Sequence, residues 1–212
     1  MGCHLIDIPY RTLGLKYPKD AECSVGTVYS GMFTQAYIPE GCPPSSFTTL
    51  HFDGTEKSKS PVEMTWSDGG IRPSHPEIIP ANDDIGGPGS GNGVLMIGEK
   101  GIISTNINDS EPLMPKLYLN DGITEFGPEI EPNDEPEYGH QRKWIDACKA
   151  GFQSREHQEL TSSFDYAGPM TETVLMGNLA IRSYMLQRKN TRGNMSVSYT
   201  HLRAHETGRN LV

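Results

Sequence analysis

The amino-acid sequence predicts an α+β domain dominated by an antiparallel or mixed β-sheet. Three observations carry that expectation. Apolar residues recur at helical spacing before and after a long central region. Within that region, short β-branched segments are joined by glycine-containing turns. The chain also holds 23 Gly and 16 Pro in 212 residues, an excess that marks many turns and long loops.

The opening MGCHLIDIPYRTLGL reads as helix from Leu5, Ile8 and Leu13, with Pro9 a disturbance unless it lies early in a second segment. Residues 25–37 read as a strand from the partial alternation of Val28, Phe33 and Tyr37. A Pro-rich loop, PEGCPPSS, follows at 39–46; Pro43 and Pro44 cannot both serve a central ladder. SFTTLHF (46–52) and PVEMTWS (61–67) form a predicted hairpin, with Asp53-Gly54 as its turn signal. DGGIRP (68–73) ends the sheet there, and 74–92 is a polar loop too long to be passive in a compact domain. GVLMIGEKGIIST (93–105) is a second hairpin turning at Gly98–Gly101. Residues 106–139 read as irregular and acidic, with EIEPNDEPE a solvated face. HQRKWIDACKAG predicts a helix with Trp144, Ala147 and Cys148 on one face and Gly151 as its stop. The last helix, GPMTETVLMGNLAIRSYMLQRK, starts with Pro169 in its first turn and Glu172 near its positive end. Its apolar residues (Val174, Leu175, Met176, Leu179, Ala180, Ile181, Tyr184) cover more than one face, which predicts burial against a sheet; Lys189 and Arg192 lie beyond its end.

Composition removes several function classes. A formal charge of −9 disfavours duplex nucleic acid, which needs a positive face. No apolar run reaches the roughly 20 residues of a membrane helix. Cys3, Cys23, Cys42 and Cys148 form no C-x-x-C pair, so neither a metal site nor a disulfide scaffold is expected. The glycine run GGPGSGNG (86–93) has no strand before it and a β-like segment after it, the wrong context for a dinucleotide fingerprint. No cofactor-binding residue is therefore expected in this chain.

The two ends read as unnatural. A helix that opens without a cap suggests missing upstream sequence, with Met1 an internal methionine. No export leader is visible, so the compartment is open; a leader would lie upstream of Met1. At the other end, VSYTHLRAHETGRNLV (from Val197) resembles the in-frame translation of a transposase-type sequencing adapter. The chain is accordingly divided into a domain over 1–195 and an adapter-derived tail over 196–212, which excludes His201, Arg203, His205 and Arg209 from site reasoning.

The candidate chemistry begins with His4 and Asp7. At i, i+3 on a helix the two side chains share a face, where imidazole could exchange a proton near neutral pH and a carboxylate could orient it. The plain alternative is a surface His–Asp pair with no task. Cys3 reads as a small packed residue rather than a nucleophile.

GCHLID (2–7), TWSDGG (65–70), GVLMIGEKG (93–101), HQRKWIDACKAG and SSFDYAGPMTETVLMGNLAIR together resemble the C-terminal domain of the glucose–fructose oxidoreductase / inositol dehydrogenase / MocA family, in one bacterial branch, over essentially residues 1–190. The resemblance implies a two-domain enzyme. An N-terminal Rossmann domain holds NAD or NADP, and a C-terminal domain with a large open sheet, flanked by helices on one face, lines the substrate site and mediates homo-oligomerisation through the sheet. The family pattern is a Lys from Glu-Lys-Pro followed by Asp-x-x-x-His. His4 matches that His, while the Asp would fall immediately before Met1. By the same resemblance, His4 exchanges the proton of a sugar or polyol hydroxyl while hydride passes to or from the nicotinamide. Asp7 orients or binds, Trp66 offers a ring face to a sugar, and Asp68 with Gly69-Gly70 supplies polar contacts. The alternative for Trp66 and Asp68 is a packed Trp before a hairpin-ending turn, and Tyr166 either reaches the cleft or packs before the last helix. The implied function is the substrate-binding domain of an NAD(P)-dependent oxidoreductase, inactive alone. The competing class is a non-catalytic carbohydrate-binding or oligomerisation module, or part of an NAD-dependent redox-neutral glycosidase.

Overall fold

The computed structural model describes residues 2–36, 38, 40–83, 85, 92–106, 115–127, 138–185, 187–189, 195–197 and 201–203. In chain order the elements are α1 (Gly2–Leu13), β1 (Asp20–Val25), β2 (Tyr29–Gly31), β3 (Thr34–Gln35), β4 (Ser46–Phe52), β5 (Val62–Ser67), β6 (Gly93–Gly98), β7 (Gly101–Asn106), β8 (Lys116–Leu119) and β9 (Thr124–Phe126). Then come α2 (Gly139–Ala150), α3 (Arg155–Gln158), α4 (Phe164–Met185), β10 (Gln187–Lys189), β11 (Met195–Val197) and β12 (His201–Arg203). Helices and antiparallel strands mix, so the α+β class holds. Among the described residues the strands fall into two four-stranded sheets, β12-β1-β4-β5 and β6-β7-β8-β9, and two two-stranded ribbons, where one large sheet was expected. Two compact units result, Met1–Ser74 with Met170–Val212, and His75–Pro169.

The first unit is organised by the β4–β5 hairpin. Both strands form as the alternation predicts, pairing from Phe47↔Ser67 to Phe52↔Val62. On β4 the Ser46, Thr48, Leu50 and Phe52 positions point to one buried face, as the period of two requires. The connection from Asp53 to Pro61 is longer than a tight turn because it does a second task. Thr55 Oγ1 donates to Leu13 O at 2.5 Å and Lys57 Nζ donates to Arg11 O at 3.1 Å, so the loop satisfies carbonyls at the end of α1. Gly14, at φ 65°, completes that end: Gly14 N donates to Arg11 O and Leu15 N to Tyr10 O, the Schellman pattern.

α1 runs unbroken through Pro9, contrary to the expected disturbance. Pro9 forfeits one main-chain bond. It lies on the stripe formed with Leu5, Ile6 and Tyr10, all buried, and that packing outweighs the lost bond. Cys3 lies off this stripe and is exposed, correcting its expected packing.

α4 begins one turn earlier than predicted, with Ser163 O accepting from Tyr166 N and Ala167 N. Pro169 therefore stands in the second turn rather than the first. The buried side of α4 is narrow and small (Thr173, Met176, Gly177, Ala180, Ser183), whereas Leu175 is exposed. Small residues let the helix approach β4: a Cβ on Gly177 would lie 3.5 Å from Thr48 Cγ2. Thr173 Oγ1 and Tyr10 OH both donate to Lys16 O, at 3.0 and 2.7 Å, joining α4, α1 and the segment before β1. Burial pushes the Tyr10 phenol above its ordinary range.

Residues 25–37 are not one strand. β1 ends at Val25, and β2 and β3 form a small ribbon turning at Met32-Phe33; Tyr37 lies outside the described residues. Parts of the adapter-like tail are strands: Gln187↔Val197 belongs to the β10–β11 pair, and β12 pairs with β1 from Asp20↔Arg203 to Glu22↔His201. Ladder bonds use main-chain atoms, so an open edge such as that of β1 accepts a strand of almost any sequence. Arg192 and Tyr184's side chain fall outside the described residues.

In the second unit β6 and β7 make the predicted hairpin, from Gly93↔Asn106 to Gly98↔Gly101. β8 and β9 were missed within the stretch read as irregular; the acidic run 129–137 lies outside the described residues. The long polar loop is not passive: Ile79 packs with Ile102 and Tyr118, flanked by Ile85 and Leu95. α2 ends at Gly151 (φ 97°) as predicted. Its predicted apolar face is corrected: Ala147 is buried, as is Gly139 at the start, but Trp144 and Cys148 are exposed, so the helix buries two small residues rather than an apolar stripe.

Gly69, at φ 62°, allows the chain to leave β5 beneath the Pro44–Ser45 segment, where an added Cβ would run into Pro44 O and come within 2.5 Å of Ser45 Cα. Gly69→Ala is expected to cost at least about 2 kcal/mol, read as a lower urea midpoint with unchanged slope.

Candidate functional site

α1 carries His4 and Asp7. The His4 side chain is exposed, and Asp7 is partly buried. Asp7 Oδ1 lies 3.6 Å from Arg11 Nη2, an i, i+4 pair on the same helix. The carboxylate proposed to orient His4 thus has a cationic neighbour one turn further along.

Trp66 and Asp68 end the β5 side of the hairpin. Asp68 N donates to Ser46 O at 3.0 Å, extending the ladder by one pair. Its carboxylate then closes the sheet: Oδ1 accepts from Ser46 N at 2.6 Å and Ser46 Oγ at 2.9 Å, and Oδ2 accepts from Trp66 Nε1 at 3.0 Å. Trp66 is the register partner of Thr48, on the face that meets α4, and is partly buried. Both carboxylate oxygens of Asp68 and the indole N–H therefore have internal partners. Tyr166, partly buried in the first turn of α4, belongs to the second unit, whereas His4, Asp7, Trp66 and Asp68 belong to the first.

Two polar clusters escaped the sequence reading. On the other face of the first sheet, register places Asp20, His51 and Glu63 side by side on β1, β4 and β5. His51 Nδ1 meets Asp20 Oδ1 at 2.5 Å, and Nε2 lies 3.7 Å from Glu63 Oε2. These residues are 31 and 12 positions apart, so no local motif reveals them; only strand register does. In the second unit, Tyr118 OH donates to Asp83 Oδ2 at 2.7 Å, Lys116 Nζ lies 3.4 Å from the same oxygen, and the two ring nitrogens of His75 face Pro76 O and Asp83 O. The Tyr118 hydroxyl, and after it Lys116, hold the Asp83 carboxyl below its ordinary range; burial and that carboxylate push the Tyr118 phenol far up.

Among the described residues no group of three or more His, Cys, Asp or Glu could hold a metal ion, and no helix is long and apolar enough to cross a membrane. Gly93, the last residue of the glycine run, opens the strand β6; residues 86–91 of the run lie outside the described set. Compared with protein-family models and with curated proteins, the chain matches none.

The Asp83–Tyr118 pair sets a pH dependence with a defined sign. A carboxyl lowered on folding stabilises the fold above its unfolded range near pH 4, and the contribution disappears as pH falls through the lower folded value. A phenol raised on folding stabilises below about pH 10 and loses that contribution above it. Tyr118→Phe is expected to flatten both limbs of urea midpoint against pH.

Proposed function

We propose that this chain is the C-terminal, substrate-binding domain of an NAD(P)-dependent oxidoreductase acting on a sugar or polyol hydroxyl, of the glucose–fructose oxidoreductase / inositol dehydrogenase / MocA kind. The observation that carries the reading is the position of His4: an exposed imidazole on the first helix, in the segment whose motif order resembles the catalytic histidine of that family. An exposed ring can meet a substrate hydroxyl; one sealed in the core could not. The α+β architecture is compatible with such a domain.

In this proposal His4 holds or moves the hydroxyl proton, and Asp7 shares its helix as an orienting or binding group. Trp66 presents a ring face beside the substrate, held in place by Asp68, which acts through Trp66 and the Ser46 backbone. NAD or NADP, when bound, takes up or gives back the hydride of the carbon bearing that hydroxyl. No residue of this chain is assigned to hold it. Homo-oligomerisation through the sheet belongs to the same proposal.

The test joins this chain to a dinucleotide-binding domain, in the full-length enzyme, and follows NAD(P) reduction with a panel of sugars and polyols. His4→Ala is expected to lower kcat about 10²–10⁴-fold with the fold intact by circular dichroism, as loss of a positioned acid–base group does. Unchanged turnover would remove His4 from the chemistry. Sugar binding without any reduction would favour the non-catalytic module instead.

A further inference from the structure

The start of the long polar loop is two consecutive turns. Ile79 N donates to Pro76 O at 3.1 Å, and Asp83 N donates to Pro80 O at 2.8 Å. Two side chains dock these turns on the second sheet. Ile79 is buried against Ile102 of β7 and Tyr118 of β8, and the Asp83 carboxylate accepts from Tyr118 OH with Lys116 Nζ beside it. His75 then spans both turns from first to last. Its Nδ1 lies 3.2 Å from Pro76 O and its Nε2 lies 3.1 Å from Asp83 O, so one ring ties the two ends of the segment together. Both of its neighbours are main-chain carbonyl oxygens, which accept and never donate.

A neutral imidazole has one N–H and one lone pair, so it could donate to one of these carbonyls and would turn its lone pair on the other. Only the imidazolium, with two N–H groups, satisfies both. We infer that His75 is a proton-operated staple: its charged ring closes the 75–83 segment over Ile102 and Tyr118, and loss of the proton releases one end. Opening lets Ile79 leave its two partners, so the segment is a flap whose closure follows pH. The charged groups around the ring fit this role. The Asp83 carboxyl is held low first by the Tyr118 hydroxyl, then by Lys116 and His75, so it is still ionised where imidazole titrates, between about pH 5 and 8. Lys116 spends its charge on the same carboxylate, and Glu77, on the flap itself, is exposed. The sign follows. The staple is complete on the acid side of neutral and is lost as pH rises through the imidazole range. That window lies between the two limbs set by Asp83 and Tyr118, so the effects are separable.

The flap is independent of the oxidoreductase reading, in which none of these residues has a part. Amide hydrogen exchange at Ile79 and Asp83 reports its opening, since both amides are bonded within the flap. Measured by NMR on the 212-residue chain and corrected for intrinsic exchange, the opening constant is expected to rise about fivefold from about pH 5.5 to about pH 8.5. That factor is the ordinary net worth of one hydrogen bond. His75→Phe keeps a ring and removes both donors. It is expected to open at least as readily at every pH in this range as the wild type does at the alkaline end, with circular dichroism unchanged because His75 is exposed. A wild-type opening constant that does not move with pH would overturn the staple. So would a pH dependence that survives in His75→Phe, since another group would then carry it.

Discussion

The β4–β5 hairpin is the constraint on which the first unit depends, because each part of it is used by a different neighbour. Its outer strand edge takes β1 in register, and its buried face takes α4 at Thr48. Its loop closes the end of α1 through Thr55 and Lys57, and its open end is clasped by Asp68. Main-chain groups at helix ends and strand ends are the costly ones to leave without partners. Here they are satisfied by residues from the hairpin itself, so local folding of one hairpin creates the docking points for two helices. The three-way contact at Lys16 O, shared by Tyr10 and Thr173, then fixes α1 beside α4, the bond from Thr173 to Lys16 spanning 157 residues of sequence.

This arrangement bears directly on the proposed chemistry. α1 is held along one stripe and at its C-terminal end, and His4 lies off the buried stripe near its start. A side chain so placed is positioned by a rigid element yet open to a ligand, which is what a proton-transfer group needs. Asp68 illustrates the opposite case. A carboxylate next to two glycines reads as a polar contact for a substrate, but the fold uses both of its oxygens to close a sheet and hold an indole.

The second unit shows the same economy of polar groups. Tyr118 is buried with Ile79 and Ile102, and its hydroxyl is matched by Asp83, four residues along the same loop from Ile79. One loop thus supplies both an apolar plug and the acceptor for the buried phenol. A buried hydroxyl without an acceptor costs free energy, and Asp83 removes that cost while drawing Lys116 to its own charge.

What the sequence determined alone was everything set by short-range periodicity and turn chemistry: the two hairpins at 46–67 and 93–105, the helix stopped by Gly151, and the α+β class. It misjudged Pro9, the first turn of α4 and the faces of α2, because local propensity carries no information about which side has something to pack against. Only the tertiary structure decided that Asp20, His51 and Glu63 form a row, that Asp83 belongs to Tyr118, and that Tyr10 and Thr173 share one carbonyl. Such pairings arise from strand register and helix docking between distant segments, and these are chosen by the summed burial of whole faces rather than by any residue's neighbours in the chain.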